Sequence, residues 1–501
     1  MNRLTATSAA FALLAVSLVG SPLASPATAD ESDSTLAPFY AQNINWGPCV
    51  GRSDRARCGT VTVPLNYDDP TGRTIELALL RIPATKSAQA SLLVNPGGPG
   101  AGGLGFAEYL GSVVDADVRA VYDIVGFDPR GVGESAPIEC LTGKQTTQWY
   151  RTDITPDTAA ERRTLFSRAK RISNGCLADD AVLARSIGSD NTVKDMDIIR
   201  RALGDTTLNW FGFSYGTELG ARYAQEFPGH VGRMVLDGGV DPSLDAMEVS
   251  QDQSTGFQRA MARFAADCAK KSNCVANTQR GVFAYINKLL RSLDRSSLPT
   301  DGSRRLVQSE AITALFFAMY ATDLWPTLRS GLKQAKNGDG TTLQLLAQLA
   351  NDQTGPNRYG SNIASAFYAI GCWDYPATPG IPGLRKSAAE WSKGARVPDM
   401  AAAMSWGNAP CSSWFGHSPI APAPVTSTTD APILIIGTTY DPATPYAWSQ
   451  SLAQQLPTSR LLTHRGDGHT VYGDANLCID DIADRYLLTG QLPELGTVCT
   501  S

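Results

Sequence analysis

The sequence predicts an α/β fold: a largely parallel sheet with crossover helices, divided by a large and mostly helical insertion. Three observations predict it. Short apolar runs recur, each ending in a glycine-rich or acidic turn: "SLLVNPGGPGAGG", "YDIVGFDPRGVGES", "LNWFGFSYG", "GRMVLDGGVDP", and much later "APILIIGTTYDPATP" and "SRLLTHRGDGHT". Such runs read as strands buried on both faces. Segments of helical period alternate with them, "TVKDMDIIRRALG" before the third run, "TELGARYAQEF" after it and "AWSQSLAQQL" between the last two. That alternation implies parallel strands joined by crossover helices. Finally, strand runs give way after "VDPSLD" to helical spacing, as in "SEAITALFFAMYATDLWPTLRSGLKQAK", until "APAPVTSTTDAP" marks the return to the sheet.

In chain order, residues 1–29 read as an export signal. Arg3 precedes an apolar stretch, "AAFALLAVSLVG", and Ala27-Thr28-Ala29 fits a signal-peptidase site. The stretch is too short to span a bilayer, and no cysteine precedes Cys49 to carry a lipid. A secreted, extracellular chain starting near Asp30 is expected. Residues 30–242 form the first part of the sheet domain. They open with a hairpin, Thr60–Pro64 and Thr74–Ile82, around the turn "NYDDPTG". Residues 243–420 form the helical insertion, and residues 421–501 complete the sheet. A formal net charge of −5 without any basic run argues against nucleic acid as the main partner. Ten cysteines in an exported chain suggest disulfides. Their connectivity does not follow from sequence, but short loops are favoured entropically. Cys49–Cys58, Cys268–Cys274 and Cys478–Cys499 are the local pairs, with Cys140–Cys176 and Cys372–Cys411 completing the set. Without C-x-x-C or a Cys/His cluster, no metal site is expected.

The stretch "GFSYG" places Ser214 between Gly212 and Gly216, after an apolar strand and before a helix. In G-x-S-x-G the chain turns sharply at the serine, which projects from the tip as a nucleophile. Ligands of open parallel sheets sit at the carboxyl ends of strands, so partners are sought at other strand ends. Of four histidines, His230 lies in a helix-to-strand turn, His417 in the insertion and His464 inside the last apolar run. His469, in the glycine-rich loop after that run, is the candidate base. Asp441 follows "ILIIGTTY" directly and is the candidate acid, with 27 residues before His469, room for one helix and one strand. Asp237 in "VLDGGV" is the rival, and Asp467 is too close along the chain to reach around the ring. For the oxyanion, backbone N–H groups of Tyr215 and of the "NPGGPG" turn, through Gly97 or Gly98, are the expected donors. Asp128 and Arg130 in "GFDPRGVGES" are read as fixing turn geometry. The order Ser, Asp, His matches the α/β-hydrolase arrangement.

Together, "NPGGPG", "GFDPRGVGES", the stretch from "LNWFGFSYG" to "LDGGVDP", and "YDPATP…GDGHT" resemble the secreted tripeptidyl aminopeptidases of actinobacteria. These belong with the proline-iminopeptidase-like serine peptidases of α/β-hydrolase fold. The resemblance runs from about Trp46 to Cys499 and is weakest in the insertion. It implies Ser214 as nucleophile, Asp441 as acid, His469 as base, and oxyanion donors at "GGPG" and Tyr215. It also implies a cap, set between the strand after the nucleophile helix and the acid-bearing strand, that binds the substrate's free N-terminal amine through acidic residues. Asp374 in "AIGCWDYP" is the candidate for that role. Pro96 stands where proline iminopeptidases usually carry histidine, a departure that favours the tripeptidyl branch. The substrates implied are peptides with free N-termini, and the chemistry needs no metal or organic cofactor. An esterase or lipase on the same scaffold is the alternative.

Overall fold

In the computed structural model, residues 35–375, 379–474 and 476–500 are described. The expected export signal lies outside them. Among the described residues ten strands form one sheet: β1 (Gly47–Pro48), β2 (Arg57–Pro64), β3 (Thr74–Ile82), β4 (Ala90–Asn95), β5 (Tyr122–Phe127), β6 (Leu208–Phe213), β7 (Val231–Asp237), then β10 (Ile433–Tyr440), β11 (Ser459–Asp467) and β12 (Val498–Thr500). A separate hairpin, β8 (Gln353–Gly355) with β9 (Arg358–Tyr359), lies in the insertion. The spatial order is β1-β2-β3-β5-β4-β6-β7-β10-β11-β12. Pairing is antiparallel from β1 to β5 and parallel from β5 to β12.

The winding reverses around β4, which has β5 on one side and β6 on the other. Chains leaving a sheet at such a point open a crevice beyond its carboxyl edge. Register decides what meets there. Asn95 on β4 pairs with Gly212 on β6. Phe213 pairs with Asp237, which pairs with Ile436 on β10. Tyr440 pairs with Asp467 on β11. The residues just beyond these pairs, Pro96, Ser214, Gly238, Asp441 and Gly468, therefore leave along one edge.

The central strands carry apolar side chains on both faces. Leu92, Leu93 and Val94 of β4 and Ile433–Ile436 of β10 are buried, each side chain contributing about 1.5–3 kcal/mol by leaving water. Helices cover both faces, among them Ser189–Ala202 and Tyr215–Glu226. Among the described residues, eight α-helices lie between β7 and β10, from Ala246–Cys268 to Pro398–Trp406. They have their own apolar core, with Phe264, Leu290, Ile312, Leu328 and Met400 at its centre. Gln279–Arg295 shows why this region is helical. Val282, Phe283, Ile286, Leu289, Leu290 and Leu293 fall on one buried stripe, and the Thr278 hydroxyl caps the first turn by accepting from Gly281 N–H.

One part of this layer comes from earlier in the chain. Helices Gly143–Tyr150 and Ala159–Ala184 pack on the insertion rather than serving as simple crossovers, with Trp149 edge-on to Tyr368 and Phe166 edge-on to Trp406. All five expected disulfides are formed: Cys49–Cys58, Cys140–Cys176, Cys268–Cys274, Cys372–Cys411 and Cys478–Cys499. No helix among the described residues is long and apolar enough to cross a membrane.

Candidate active site

Between β6 and helix Tyr215–Glu226 the chain turns on one residue. Ser214 has φ 53° and ψ −124°, a left-handed conformation that a side chain adopts only under constraint. The constraint is visible on both sides. A Cβ on Gly212 would stand 2.3 Å from the Gly216 carbonyl oxygen, and one on Gly216 would stand 2.8 Å from that of Asn95. Ser214 N–H donates to the Asp237 carbonyl at 2.9 Å, and Thr217 Oγ1 donates to the Ser214 carbonyl at 2.6 Å. Within Phe211–Gly220, Ser214 alone is not buried.

The "NPGGPG" turn leaves β4 beside this elbow. Asn95 Oδ1 accepts Gly97 N–H at 2.8 Å, so that N–H is not available to a ligand. Gly97 instead supplies space. Its φ is +90°, and a Cβ there would lie 2.4 Å from the Phe213 carbonyl oxygen and 2.9 Å from the Tyr215 nitrogen. Gly98 N–H and Tyr215 N–H have no acceptor among the described residues. Gly98, Ser214 and Tyr215 line the same cavity, about 170 Å³ in volume, to which the helical layer contributes Val249, Phe367 and Tyr375.

Asp441 is fully buried one residue beyond β10. Its Oδ1 accepts Ala443 N–H and Thr444 N–H, each at 2.8 Å, and its Oδ2 accepts the Thr444 hydroxyl at 2.9 Å. His469 Nδ1 lies 3.0 and 2.9 Å from the two carboxylate oxygens. The ring therefore carries its proton on Nδ1 and leaves Nε2 as an acceptor. Burial alone would lower the imidazole pKa, but the charge and hydrogen bond of Asp441, with Asp237 further off, raise it above the ordinary histidine value. Tyr320, from the helical layer, holds the loop: its carbonyl accepts His469 N–H at 2.8 Å and its ring stands edge-on to the imidazole at 5.2 Å.

The imidazole packs at the carboxyl end of β7, the strand beside the serine's own. A Cβ on Gly238, next to the Asp237 that binds Ser214 N–H, would lie 3.4 Å from His469 Cε1 and 3.0 Å from Thr444 Oγ1. Thr444 also lines the cavity that holds Ser214. Its hydroxyl lies 3.3 Å from His469 Nδ1, so it touches carboxylate and imidazole alike. Sequence reasoning passed over Thr444. The signal was its place three residues after Asp441, where a turn returns a side chain to the carboxylate.

The rival carboxylates do other work. Asp237 Oδ2 accepts Val471 N–H and Tyr472 N–H at 2.9 Å each, pinning the loop that carries His469. Burial pushes its pKa up to about 7. Asp467 is ion-paired with Arg263, which also stacks on Tyr440. Asp128 fixes its own turn by accepting from Glu134 N–H at 2.9 Å. Arg130 reaches further: it is fully buried and binds Asp195 and the Leu65, Ser186 and Pro64 carbonyls, tying the turn to helix Ser189–Ala202. His230 bonds Asp197, His417 bonds the Ser418 carbonyl, and His464 is buried beside Thr438.

Asp374 departs from expectation. It is buried and absent from the cavity wall. Its oxygens accept Ser189 N–H at 3.0 and 3.2 Å and the Tyr215 hydroxyl at 2.9 Å. Burial first, then the neighbouring Glu218 charge, lifts its pKa to about 7. It caps helix Ser189–Ala202 and holds the Tyr215 hydroxyl.

Comparison with known proteins fits this geometry. A family profile described as TAP-like protein matches residues 397–499, which carry both Asp441 and His469. The serine protease Hip1 of Mycobacterium tuberculosis is 35% identical over 484 residues, covering 92% of this chain and 92% of that protein. A tripeptidyl aminopeptidase of Streptomyces lividans is 32% identical over 475 residues, covering 91% and 86%. The chain belongs to this family of TAP-like serine hydrolases. Another relative, carboxylesterase B of Mycobacterium tuberculosis, is 35% identical over 523 residues, covering 97% of each chain. As a member of the family the chain is a hydrolytic enzyme of α/β-hydrolase fold.

Proposed function

We propose that the protein is an exported serine exopeptidase that hydrolyses peptides near a free N-terminus and releases tripeptides. The observation that carries the reading is the Asp441–His469 pair, with Nδ1 held against both carboxylate oxygens, on the strand edge where the strained Ser214 lines a cavity. His469 Nε2 takes the Ser214 proton as Oγ attacks the scissile carbonyl. Gly98 N–H and Tyr215 N–H receive the oxyanion, and Gly97 leaves room for the carbonyl. His469 then protonates the leaving amine, and water repeats the sequence on the acyl-enzyme. Asp441 holds the tautomer and stabilises the imidazolium. Helices 243–420, with the earlier segment 143–184, serve as the cap. Five disulfides and the leader-like residues 1–29 support export, since such bonds persist in oxidising surroundings.

Ser214→Ala is expected to abolish chromophore release from tripeptide p-nitroanilides with free N-termini. Mass spectrometry of an unblocked peptide of about ten residues reads the product length directly. Equal turnover of free and N-acetylated peptides would reject the exopeptidase claim and leave the triad standing. The carboxylesterase relative supports a second reading, esterase activity at the same serine. Strong turnover of short nitrophenyl esters, with peptide amides untouched, would establish it instead.

A further inference from the structure

β10 and β11 lead to the acid and the base, yet their ladder is irregular just before either is reached. Thr438 pairs with His464 but Tyr440 pairs with Asp467, so β11 holds one extra residue between the two pairs. A bulge of this kind breaks the ladder locally and lets the strand ends re-aim. Asp441 follows Tyr440 directly, and His469 lies two residues beyond Asp467. The separation of acid and base is therefore set beyond a point where the ladder is broken. A side chain from the insertion spans the two strand ends there. Arg263, on helix Ala246–Cys268, donates from Nε to Asp467 Oδ1, and from Nη2 to Oδ2 at 2.7 Å. The same guanidinium lies 3.7 Å from the centre of the Tyr440 ring. One planar group thus grips the last residue of both strands, its fork on the carboxylate and its face on the aromatic ring.

The rest of the helix follows the acid-bearing loop. Gln253 Nε2 donates to the Ala443 carbonyl at 2.8 Å, and Trp448 Nε1 donates to Asp252 at 2.8 Å. A Cβ on Gly256 would stand 2.6 Å from the Pro442 carbonyl oxygen, so the helix backbone rests on the loop. Asp252, Gln253, Gly256 and Arg263 recur at the spacing of one helical face. Beside that face, the Phe257 ring packs against Tyr320 at 5.8 Å, and the Tyr320 carbonyl accepts His469 N–H. One helix therefore braces the acid directly and the base through Tyr320, and Arg263 ties their two strands together. The Arg263 and Asp467 side chains are 40% and 16% exposed. An ion pair this open adds little to global stability, so its removal separates position from fold.

We propose that Arg263 is a positioning residue for catalysis, which sets the approach of His469 to Asp441 by clamping Tyr440 to Asp467 across the bulge. The inference rests on the Ser214, His469 and Asp441 roles given above and holds whether a peptide or an ester bond is cut. Arg263 acts through the strand ends rather than by touching the reacting atoms, and it is absent from the described wall of the Ser214 cavity. The consequence is that the insertion belongs to the catalytic apparatus. Acid and base reach their hydrogen-bonded arrangement only with helix Ala246–Cys268 seated on the loops that carry them. A misplacement of about 1 Å between reacting groups costs about a hundredfold in rate, so a small drift of either strand end is enough to show.

Two variants of the full chain test this. Arg263→Met and Asp467→Ala both open the clamp, and they leave excess charges of opposite sign. In each, kcat on a free-amine tripeptide anilide and the rate of fluorophosphonate labelling of Ser214 are expected to fall about ten- to hundredfold, with KM within about twofold of the parent. Calorimetry is expected to place each Tm within about 3 °C of the parent. Arg263→Lys keeps the charge but neither the fork nor the flat face, and is expected to recover part of the lost rate. A residue that acted only by its charge on the imidazolium would move the two variants in opposite directions. Labelling of either folded variant at the parent rate, or a rate that rises in one variant and falls in the other, overturns the proposal. Failure of the proposed function looks different, because it shows in the parent. A parent that fluorophosphonate does not label at Ser214 refutes the triad and this proposal with it. A parent that is labelled but leaves the anilide uncleaved refutes the exopeptidase reading alone, and the labelling rates still judge Arg263.

Discussion

Asp441→Asn is the most informative single change, and the structure dictates its outcome. Asp441 Oδ1 is held by two backbone N–H groups, Ala443 and Thr444, at 2.8 Å each. An asparagine must keep its carbonyl oxygen there, because an NH₂ group facing two donors would leave all of them unmet. The NH₂ is then forced into the place of Oδ2, 2.9 Å from His469 Nδ1 and 2.9 Å from the Thr444 hydroxyl. It donates to Nδ1 and moves the ring proton to Nε2, the atom that must accept from Ser214. The fold survives while the base is in the wrong tautomer. The expected loss in kcat is about 10⁴, equivalent to about 5.5 kcal/mol in the barrier. The pH profile adds a second readout. Asp441 raises the His469 pKa above its ordinary value, and catalysis needs the neutral ring. In the unaltered protein kcat/KM is therefore expected to rise with pH through a midpoint above that value. In the variant the carboxylate charge is gone and the acid limb moves to lower pH. The assay is release of p-nitroaniline from a free-amine tripeptide anilide between about pH 5 and 10. A loss smaller than about tenfold, or an acid limb that does not move, would refute the reasoning.

Three other outcomes follow from the same geometry. Gly97→Ala puts a methyl group 2.4 Å from the Phe213 carbonyl oxygen, and kcat is expected to fall about 10²–10³-fold, with slower fluorophosphonate labelling of Ser214; labelling at the unaltered rate would contradict the role given to this turn. Asp237 has its pKa raised to about 7 in the folded chain, so it destabilises the fold progressively as pH rises from about 4 toward 7. Asp237→Asn should therefore raise the Tm at pH 8 relative to the parent and change it little at pH 4, read by calorimetry. Among the disulfides, loop length sets the ranking. Replacing Cys140 and Cys176, which are 36 residues apart, by alanine should cost about 4 kcal/mol, and Cys268 with Cys274, 6 residues apart, about 2 kcal/mol, measured by denaturant unfolding.

Much of the site was legible along the chain because its parts are local. G-x-S-x-G specifies its own turn, since a Cβ at Gly212 or Gly216 collides with backbone. The apolar runs ending in Asp441 and just before His469 announce strands whose ends must share an edge. Three of the disulfides are the local pairs that short loops favour, while Cys140–Cys176 and Cys372–Cys411, 36 and 39 residues apart, are brought together by the fold. Gly97 was less clear. Its glycine character announced a close approach, but whether it lends an N–H or only space depends on Asn95, whose side chain turns back onto it.

Asp374 shows where local reading stops. The family resemblance made it a candidate for holding a substrate amine, yet its position is set by Ser189 and Tyr215, 185 and 159 residues away in the chain. Segment 143–184 looked like part of the sheet domain, and its place on the helical layer rests on contacts such as Trp149 with Tyr368.

By itself, the sequence determined the strand and helix alternation, the serine turn and the chain order of serine, acid and histidine. These are written in short-range sterics and in the period of apolar residues. Only the tertiary structure decided which carboxylate faces the imidazole, that Thr444 touches both, and that one helix of the insertion reaches the strand ends beside them. Those facts depend on strand register and on hydrogen bonds between distant segments, where a shift of one residue turns each side chain to the other face.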